Sequence, residues 1–431
     1  MRKLSENVNE EIMPVAGLKK NKTGVLHFTS PPVVGGVESV IHAHAGIFLQ
    51  HGYPYQVITG RGDLSALPTG TGFTLLPRLD SQHPHVVKVQ SELASGIVSG
   101  EFEDLTNHLV DSLEPLLIHL ENLIVHNVFT KHFNLALLAA LFRLMDAGRI
   151  NNCIAWCHDF SWISPNAVNV LHPGYPWELL KTPRRDLSYV VVSAERQRAL
   201  AELMKISAER IQVIYNGVDP KTLLGLSTET EHLVDRLGFL ESDLSMLMPV
   251  RVTQAKNIEL ALQVVAALKS RGNKPLLVLT GPPDPHDETS MHYYQDLLKL
   301  RSQLGVENEM RFVFESGPQP GRPYTIGWAI VGELLRLCDL LFMPSLREGF
   351  GMPVLEAGLL GRQVFSTPIP ASEEIGGQDV ITFMPDEDPD KIAGLILSWA
   401  ETNPEHRLRR RVRQAYTWNA IFQRDIQPLL K

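Results

Sequence analysis

The stretch Glu348-Gly-Phe-Gly-Met-Pro-Val-Leu-Glu356 sets two carboxylates, two glycines and a proline behind an apolar run that reads as a buried strand. Pro353 suits a first helical turn, where its missing N–H has no partner to lose. Gly349 and Gly351 allow the backbone to approach a ligand closely. The N–H groups of residues 350–354, those of Phe350, Gly351, Met352 and Val354, would then lie free at the positive end of a helix and form a site for a diphosphate. Glu356, about one turn into that helix, can accept hydrogen bonds from a ribose diol, and Glu348 can do the same for sugar hydroxyls. The plain alternative is a capped surface helix with two solvated carboxylates. The glycines and the preceding strand argue against it.

A second stretch, Pro249-Val-Arg251-Val-Thr-Gln-Ala-Lys256-Asn257, places two cations five apart on a loop between a strand and a helix. Arg offers a rigid fork and Lys a point charge, and both suit phosphate oxygens. Gly35-Gly36-Val-Glu38 forms the first strand–helix turn. It lacks the G-x-G-x-x-G dinucleotide fingerprint, so amides that touch a phosphate or sugar and a purely structural turn are equal readings. In Cys157-His158-Asp159, at another strand end, the histidine can hydrogen-bond a sugar hydroxyl or polarise a reacting group, or be a satisfied structural side chain. His126 has a weaker form of the same case.

Other chemistries find no support. There is no G-x-S-x-G elbow, no P-loop and no D-x-D at a strand end, so no catalytic metal is expected. His42 and His44 lie two apart on a helix and face different ways. Asp284, His286 and Asp287 read as loop. The three cysteines are too few for a disulfide scaffold and read as small apolar fillers. A net charge of −8 on 431 residues argues against a nucleic-acid binder. The N-terminus is polar, without the apolar core of a secretory signal, and the apolar run 135–142 is far short of the ~20 residues of a spanning helix. A cytoplasmic protein without a spanning segment is expected; a peripheral membrane contact and the oligomeric state stay open.

The elements that must position these residues alternate. Apolar runs at 24–30, 55–60, 120–128, 153–159, 188–195 and 211–220 read as strands, with apolar-periodic helices between several of them. The segment 221–245 is polar and less patterned. The same grammar restarts with strands near 245–250, 275–281, 310–316 and 339–345, then at QVFSTP and VITFMP, and the tail is helical. Repeated strand–helix–strand units favour parallel sheets, whose ligands sit outside the carboxyl ends of the strands. The fold class is therefore α/β, two doubly wound Rossmann-like domains facing a cleft, and the candidate residues all fall at strand ends.

In sequence order, GGVE (35–38), VIYNGVDP (213–220), R-x4-K (251–256) and the two glutamates within FMPSLREGFGMPVLEAGLLG resemble the signatures of retaining GT-B glycosyltransferases, family 4, over about residues 24–425. Residues 1–22 read as a flexible tail, and the resemblance implies an N-terminal acceptor domain (23–220), a C-terminal nucleotide-sugar domain (221–402), and C-terminal helices (403–431) crossing back to the first domain. It implies that Arg251 and Lys256 bind the diphosphate and stabilise it as it leaves, and that Glu356 holds the ribose. Glu348 and the amides of Phe350–Met352 would hold the sugar and phosphate. His158 would touch the donor sugar near the reaction centre, and Gly36, beside Gly35, would abut the donor phosphate. Asn257, Gly349, Gly351, Pro353 and Val354 belong to the same donor-binding loops. One stretch departs from the family: where many relatives carry a G-x-G-P-type loop, this chain reads Gly281-Pro-Pro-Asp-Pro-His-Asp-Glu, with a longer insertion near 317–329.

The expected activity is metal-independent transfer of a hexosyl group, with retention, from a UDP- or GDP-sugar to a hydroxyl of a small polar or saccharide acceptor. The nucleotide sugar is a substrate, and no cofactor is expected. A sugar phosphorylase or sugar-nucleotide epimerase on the same fold, or a non-catalytic nucleotide-sugar binder, are the alternatives. The acceptor would meet residues 35–38, 61–80, 126–133 and 158–177, a surface holding Trp162, His172, Tyr175 and Trp177.

Overall fold

The computed structural model describes residues 22–284 and 288–431, Glu288 by its backbone only. The expected tail, but for Lys22, and His286 and Asp287 lie outside the described residues. The described residues divide into two units, one of residues 22–216 and 421–431 and the other drawn from residues 217–420.

The first unit is built on strands β1 (Thr23–Thr29), β2 (Tyr55–Arg61), β3 (Gly72–Leu75), β4 (Asn122–His126), β5 (Cys153–Cys157), β6 (Leu187–Val191) and β7 (Ile211–Val213). They form one sheet in the order β3-β2-β1-β4-β5-β6-β7, with every pair parallel. β1, β4 and β5 are buried along their whole length. A strand covered by helices on both faces must be apolar on both, which is why these strands read as continuous runs and not as alternation. The helices are α1 (Gly36–Gln50), α2 (Pro84–Ala94), α3 (Gly100–Leu117), α4 (Leu135–Asp146) and α5 (Ala194–Met204). The α2–α3 pair is absent from the strand–helix reading above, although Phe102, Leu105, Leu109, Leu113 and Leu117 recur at helical spacing and are buried.

The second unit opens with α6 (Pro220–Leu223) and α7 (Thr228–Leu237) in the segment read as poorly patterned. Ser227 caps α7 by accepting from the Thr230 N–H, and Gly238 ends it in the left-handed region. The strands are β8 (Leu244–Met248), β9 (Pro275–Leu279), β10 (Met310–Phe312), β11 (Leu340–Met343), β12 (Gln363–Ser366) and β13 (Ile381–Thr382). Their order is β10-β9-β8-β11-β12-β13, again all parallel. The helices are α8 (Ile258–Ser270), α9 (Glu288–Gln303), α10 (Trp328–Leu337), α11 (Met352–Leu359), α12 (Pro389–Thr402), α13 (Pro404–Ala415) and α14 (Trp418–Ile421). In both sheets the chain starts in the middle, builds outward on one side, then returns to build on the other. This is the doubly wound Rossmann order, and its reversal points are β1/β4 and β8/β11.

Residues 403–420 group with the second unit and residues 421–431 with the first. α13 stays with the second unit because Arg413, buried, donates to Asp339 Oδ2 at 2.9 Å, and the same carboxylate accepts from the Ser245 N–H at 2.8 Å. The helix is thereby fastened to the amino ends of β8 and β11. Residues 421–431 then join the first unit: Phe422 stacks on His51 at 4.4 Å and meets Phe48 edge-on at 5.0 Å. Asn152 Nδ2 donates to the Leu429 carbonyl at 2.9 Å.

Candidate functional site

The loops after β8 and β11 leave the carboxyl edge of the second sheet on either side of its reversal point, where the two adjacent strands send their connections apart. That divergence opens the crevice in which doubly wound sheets hold ligands. The chain after β8 makes a single 3-10 turn, Gln254–Lys256, and Asn257 enters α8 in the left-handed region with φ +50°. The chain after β11 runs from Pro344 to Gly351 and enters α11.

The two loops are fastened together. The Leu346 N–H donates to the Ala255 carbonyl at 2.9 Å. Lys256 Nζ donates to Glu348 Oε1 at 2.5 Å, and Ser345 Oγ donates to the same oxygen at 2.8 Å. Both partners of this ion pair are largely covered, with side chains 17% and 11% exposed. Arg251 is exposed, and among the described residues its guanidinium has no hydrogen bond or ion pair. A cation standing free beside a paired one leaves net positive charge at the strand end.

The entry to α11 supplies the donors. Gly351 has φ +101°, and a Cβ there would come within 2.9 Å of Ile369 Cδ1 and 3.2 Å of Ala371 Cβ. Only glycine allows the chain to turn into the helix this close to the neighbouring loop. A Cβ on Gly349 would meet nothing within 4 Å. That residue's lack of a side chain leaves open space and is not demanded by packing within the protein. Among the described residues, no acceptor pairs with the N–H groups of residues 349–352. Pro353 occupies the first turn, and Val354 is buried against the core, so its N–H bonds back to the Gly351 carbonyl at 3.0 Å. Phe350 and Met352 are exposed, and the Phe350 carbonyl accepts from the Ala371 N–H at 3.0 Å. Glu356 lies half-buried on α11, its carboxylate unpaired among the described residues.

The Asn257 side chain donates to the Pro385 carbonyl at 2.9 Å, which ties the α8 entry to the loop before α12. That bond holds the Asn257 side chain to the scaffold and shapes the loop. Gly281 is a close approach of a different kind: a Cβ would strike the Val250 carbonyl oxygen, so the loop after β9 lies directly on the Arg251 loop.

In the first unit, Gly35 and Gly36 begin α1 after β1. A side chain on Gly35 would collide with the Glu38 carboxylate, which accepts from Thr29 Oγ1, whereas a Cβ on Gly36 meets nothing within 4 Å. His126 ends β4 and His158 follows β5, the strand paired beside it. The rings of His126 and His158 meet edge to edge, centroids 5.4 Å apart and 29° from coplanar, with His126 Nδ1 3.1 Å from His158 Nε2. Asn127, at φ +59°, turns its Oδ1 to accept from the N–H groups of His158 (2.8 Å) and Asp159 (3.3 Å). His27 Nδ1 lies 2.9 Å from the His126 carbonyl, and His44 packs 5.7 Å from the His126 ring. Burial, reinforced by the neighbouring His27, pushes His158 down to about 4. Burial and the neighbouring His158 push His44 down to about 3. His126 is held well below its ordinary range by burial and then by His158, His44 and His27. All three are therefore neutral near pH 7. Asp159 is exposed and pairs with Arg196 at 3.1 Å.

The aromatic residues expected on an acceptor surface divide. Trp177 is 3% exposed and belongs to the core. His172 packs edge-on against it at 5.0 Å and bonds the Ala94 carbonyl through Nε2 at 3.0 Å. The Trp162 N–H donates to the Trp177 carbonyl at 3.1 Å. Trp162 and His172 are half-buried, and Tyr175 is exposed. A cavity of about 530 Å³ lies at the opposite, amino-terminal edge of the second sheet, lined by Asp339, Arg362, His406 and Arg409 among others. Of these, Asp339 is paired with Arg413, and Arg362 and Arg409 donate to main-chain carbonyls.

Two doubly wound units in one chain are the components of the GT-B fold. A search of solved structures returns a Rickettsia africae glycosyltransferase, 16% identical, covering 96% of this chain and 98% of that chain with a TM-score of 0.34. Among curated proteins, the chain is 24% identical over 274 residues to the mannosylglucosylglycerate synthase of Petrotoga mobilis, covering 59% of this chain and 60% of that protein. It is 26% identical over 239 residues to a D-inositol 3-phosphate glycosyltransferase of Jonesia denitrificans, covering 51% of each. The chain spans between half and three fifths of the length of these relatives. Residues 230–417, which contain both the Arg251–Asn257 and the Glu348–Glu356 loops, match the family model described as "Glycosyl transferases group 1".

Proposed function

We propose that this protein is a retaining glycosyltransferase that moves a hexosyl group from a UDP- or GDP-sugar to a hydroxyl acceptor without a metal ion. The observation that carries the reading is the joining of the two loops at the β8/β11 reversal point, where Lys256 meets Glu348 at 2.5 Å beside the unpaired N–H groups of residues 349–352. The names of the relatives and the family match over residues 230–417 support the same class.

In this reading the diphosphate takes the free N–H groups at the α11 entry, with Arg251 and Lys256 on its oxygens. Glu356 accepts from the ribose diol and Glu348 from the sugar. As the glycosidic bond breaks, negative charge grows on the departing phosphate and the sugar becomes oxocarbenium-like. Two cations and a helix amino end already aimed at that charge lower the barrier without reorganising. They supply the positive charge that a divalent ion would otherwise bring. Retention follows from attack on the face the diphosphate leaves, with a phosphate oxygen taking the acceptor's proton, so no protein nucleophile is needed. The first unit takes the acceptor, and His158 meets the substrate there.

The test is hydrolysis or transfer of UDP-glucose and GDP-mannose by the wild type and by Lys256→Ala and Glu348→Ala. Loss of one group that stabilises developing charge costs about 2.7–4 kcal/mol, a fall of about 100- to 1,000-fold in kcat. Equal turnover in all three proteins would reject these assignments.

A further inference from the structure

The neutral histidines at the carboxyl edge of the first sheet have a defined proton arrangement. A neutral imidazole donates through one nitrogen and accepts through the other. His27 Nδ1 faces the main-chain carbonyl of His126 at 2.9 Å, so it must carry a proton. His126 Nδ1 faces His158 Nε2 at 3.1 Å, and one of those two nitrogens must donate. The other nitrogen of His126, Nε2, is buried and has no hydrogen-bond partner among the described residues. Were its proton on Nε2, a second buried N–H would be left without an acceptor beside that of Trp156, adding its desolvation cost. With the proton on Nδ1, only a lone pair is left bare. His126 is therefore the donor and His158 Nε2 the acceptor, which puts the proton of His158 on Nδ1. That Nδ1 has no partner among the described residues, and His158 is partly exposed.

We propose that His126 is a positioning residue for His158: its Nδ1–H donates to His158 Nε2, holds that ring in the Nδ1-protonated tautomer, and so turns an N–H, not a lone pair, toward a hydroxyl oxygen of the substrate. Three further contacts fix the geometry. Asn127 Oδ1 grips the His158 and Asp159 main chain, β4 and β5 pair through His126 and Trp156, and His27 anchors the His126 carbonyl. The inference rests on the reading above that His158 meets the substrate, and the two can fail separately.

Imidazole nitrogen NMR on the ¹⁵N-histidine-labelled full chain, with the signals of His158 and His126 assigned by their loss in His158→Gln and His126→Asn, decides the hydrogen bond without any substrate. The expected spectrum shows Nδ1 of both residues protonated; an Nε2-protonated His158 overturns the proposal. Kinetics decide its use, with whichever of UDP-glucose and GDP-mannose the wild type hydrolyses. His126→Leu should lower kcat about 10- to 100-fold with little change in KM, the range found for the outer partners that orient metal-binding histidines. His126→Asn, whose side-chain amide can stand where Nδ1 stood, should recover most of that loss, although both variants vacate part of the same buried space. Equal losses in Leu and Asn, or none in Leu, overturn the positioning role. Unchanged turnover in His158→Ala, with the tautomer as expected, overturns instead the contact between His158 and substrate.

Discussion

The imidazole of His44 is fully buried beside Trp156 and His126, with its pKa pushed down from 6.5 to about 3. The unfolded chain takes up a proton there below 6.5, and the folded chain only below about 3. Stability from this group is therefore complete above pH 6.5 and drains away as the pH falls through that window, by about 1.4 kcal/mol per pH unit. His158, pushed to about 4, loses in the same direction. The melting temperature should fall steeply between pH 6.5 and 4.5, and His44→Leu should melt with a shallower slope over the same range. Parallel slopes by scanning calorimetry would refute the assignment, whatever the absolute stability of the variant.

At the scale of elements, the entry to α11 separates two uses of glycine. Gly351 is required by the fold, since it has φ +101° and neighbours at 2.9 and 3.2 Å from a Cβ, whereas Gly349 borders open space. Gly351→Ala should lose about 1–3 kcal/mol in chemical denaturation. Gly349→Ala should unfold like the wild type yet bind UDP several-fold more weakly by calorimetric titration. Unchanged UDP affinity in Gly349→Ala would show that this space receives no phosphate. Much at this scale is legible in the sequence. β5 and β11 are apolar throughout because helices cover both of their faces, and the Pro353 and glycine punctuation marks the start of α11 to within a residue. The rest depends on register and burial. His126 and His158 are 32 residues apart and meet only because β4 pairs with β5, while Lys256 and Glu348 meet across 92 residues. Trp177 and Trp162 have the composition of a sugar-binding surface, but nothing local in the chain tells that Trp177 faces inward. Asn257 fits a donor loop by position, yet the Pro385 carbonyl that claims its amide is 128 residues away.

Across the whole molecule, each unit has its own core, and the first is assembled from two separate stretches of chain. Phe422 is the keystone of the later stretch, fully buried against Phe48, His51 and Tyr53. Removing such a ring costs about 3–5 kcal/mol. Phe422→Ala should therefore raise amide hydrogen exchange in β1, β2 and α1 while leaving β8, β11 and β12 unchanged. Exchange that rises equally in both sheets would show that the two cores unfold as one.

That discontinuity sets an order of events during synthesis. Residues 421–431 leave the ribosome only after all of the second unit, so a nascent chain holds a finished second unit while the first still lacks its closing segment. In that interval the faces of Phe48, His51 and Tyr53 are open to water and to any chaperone that reads bare aromatic surface. Residues 421–431, made after both sheets, are thus what covers that aromatic face.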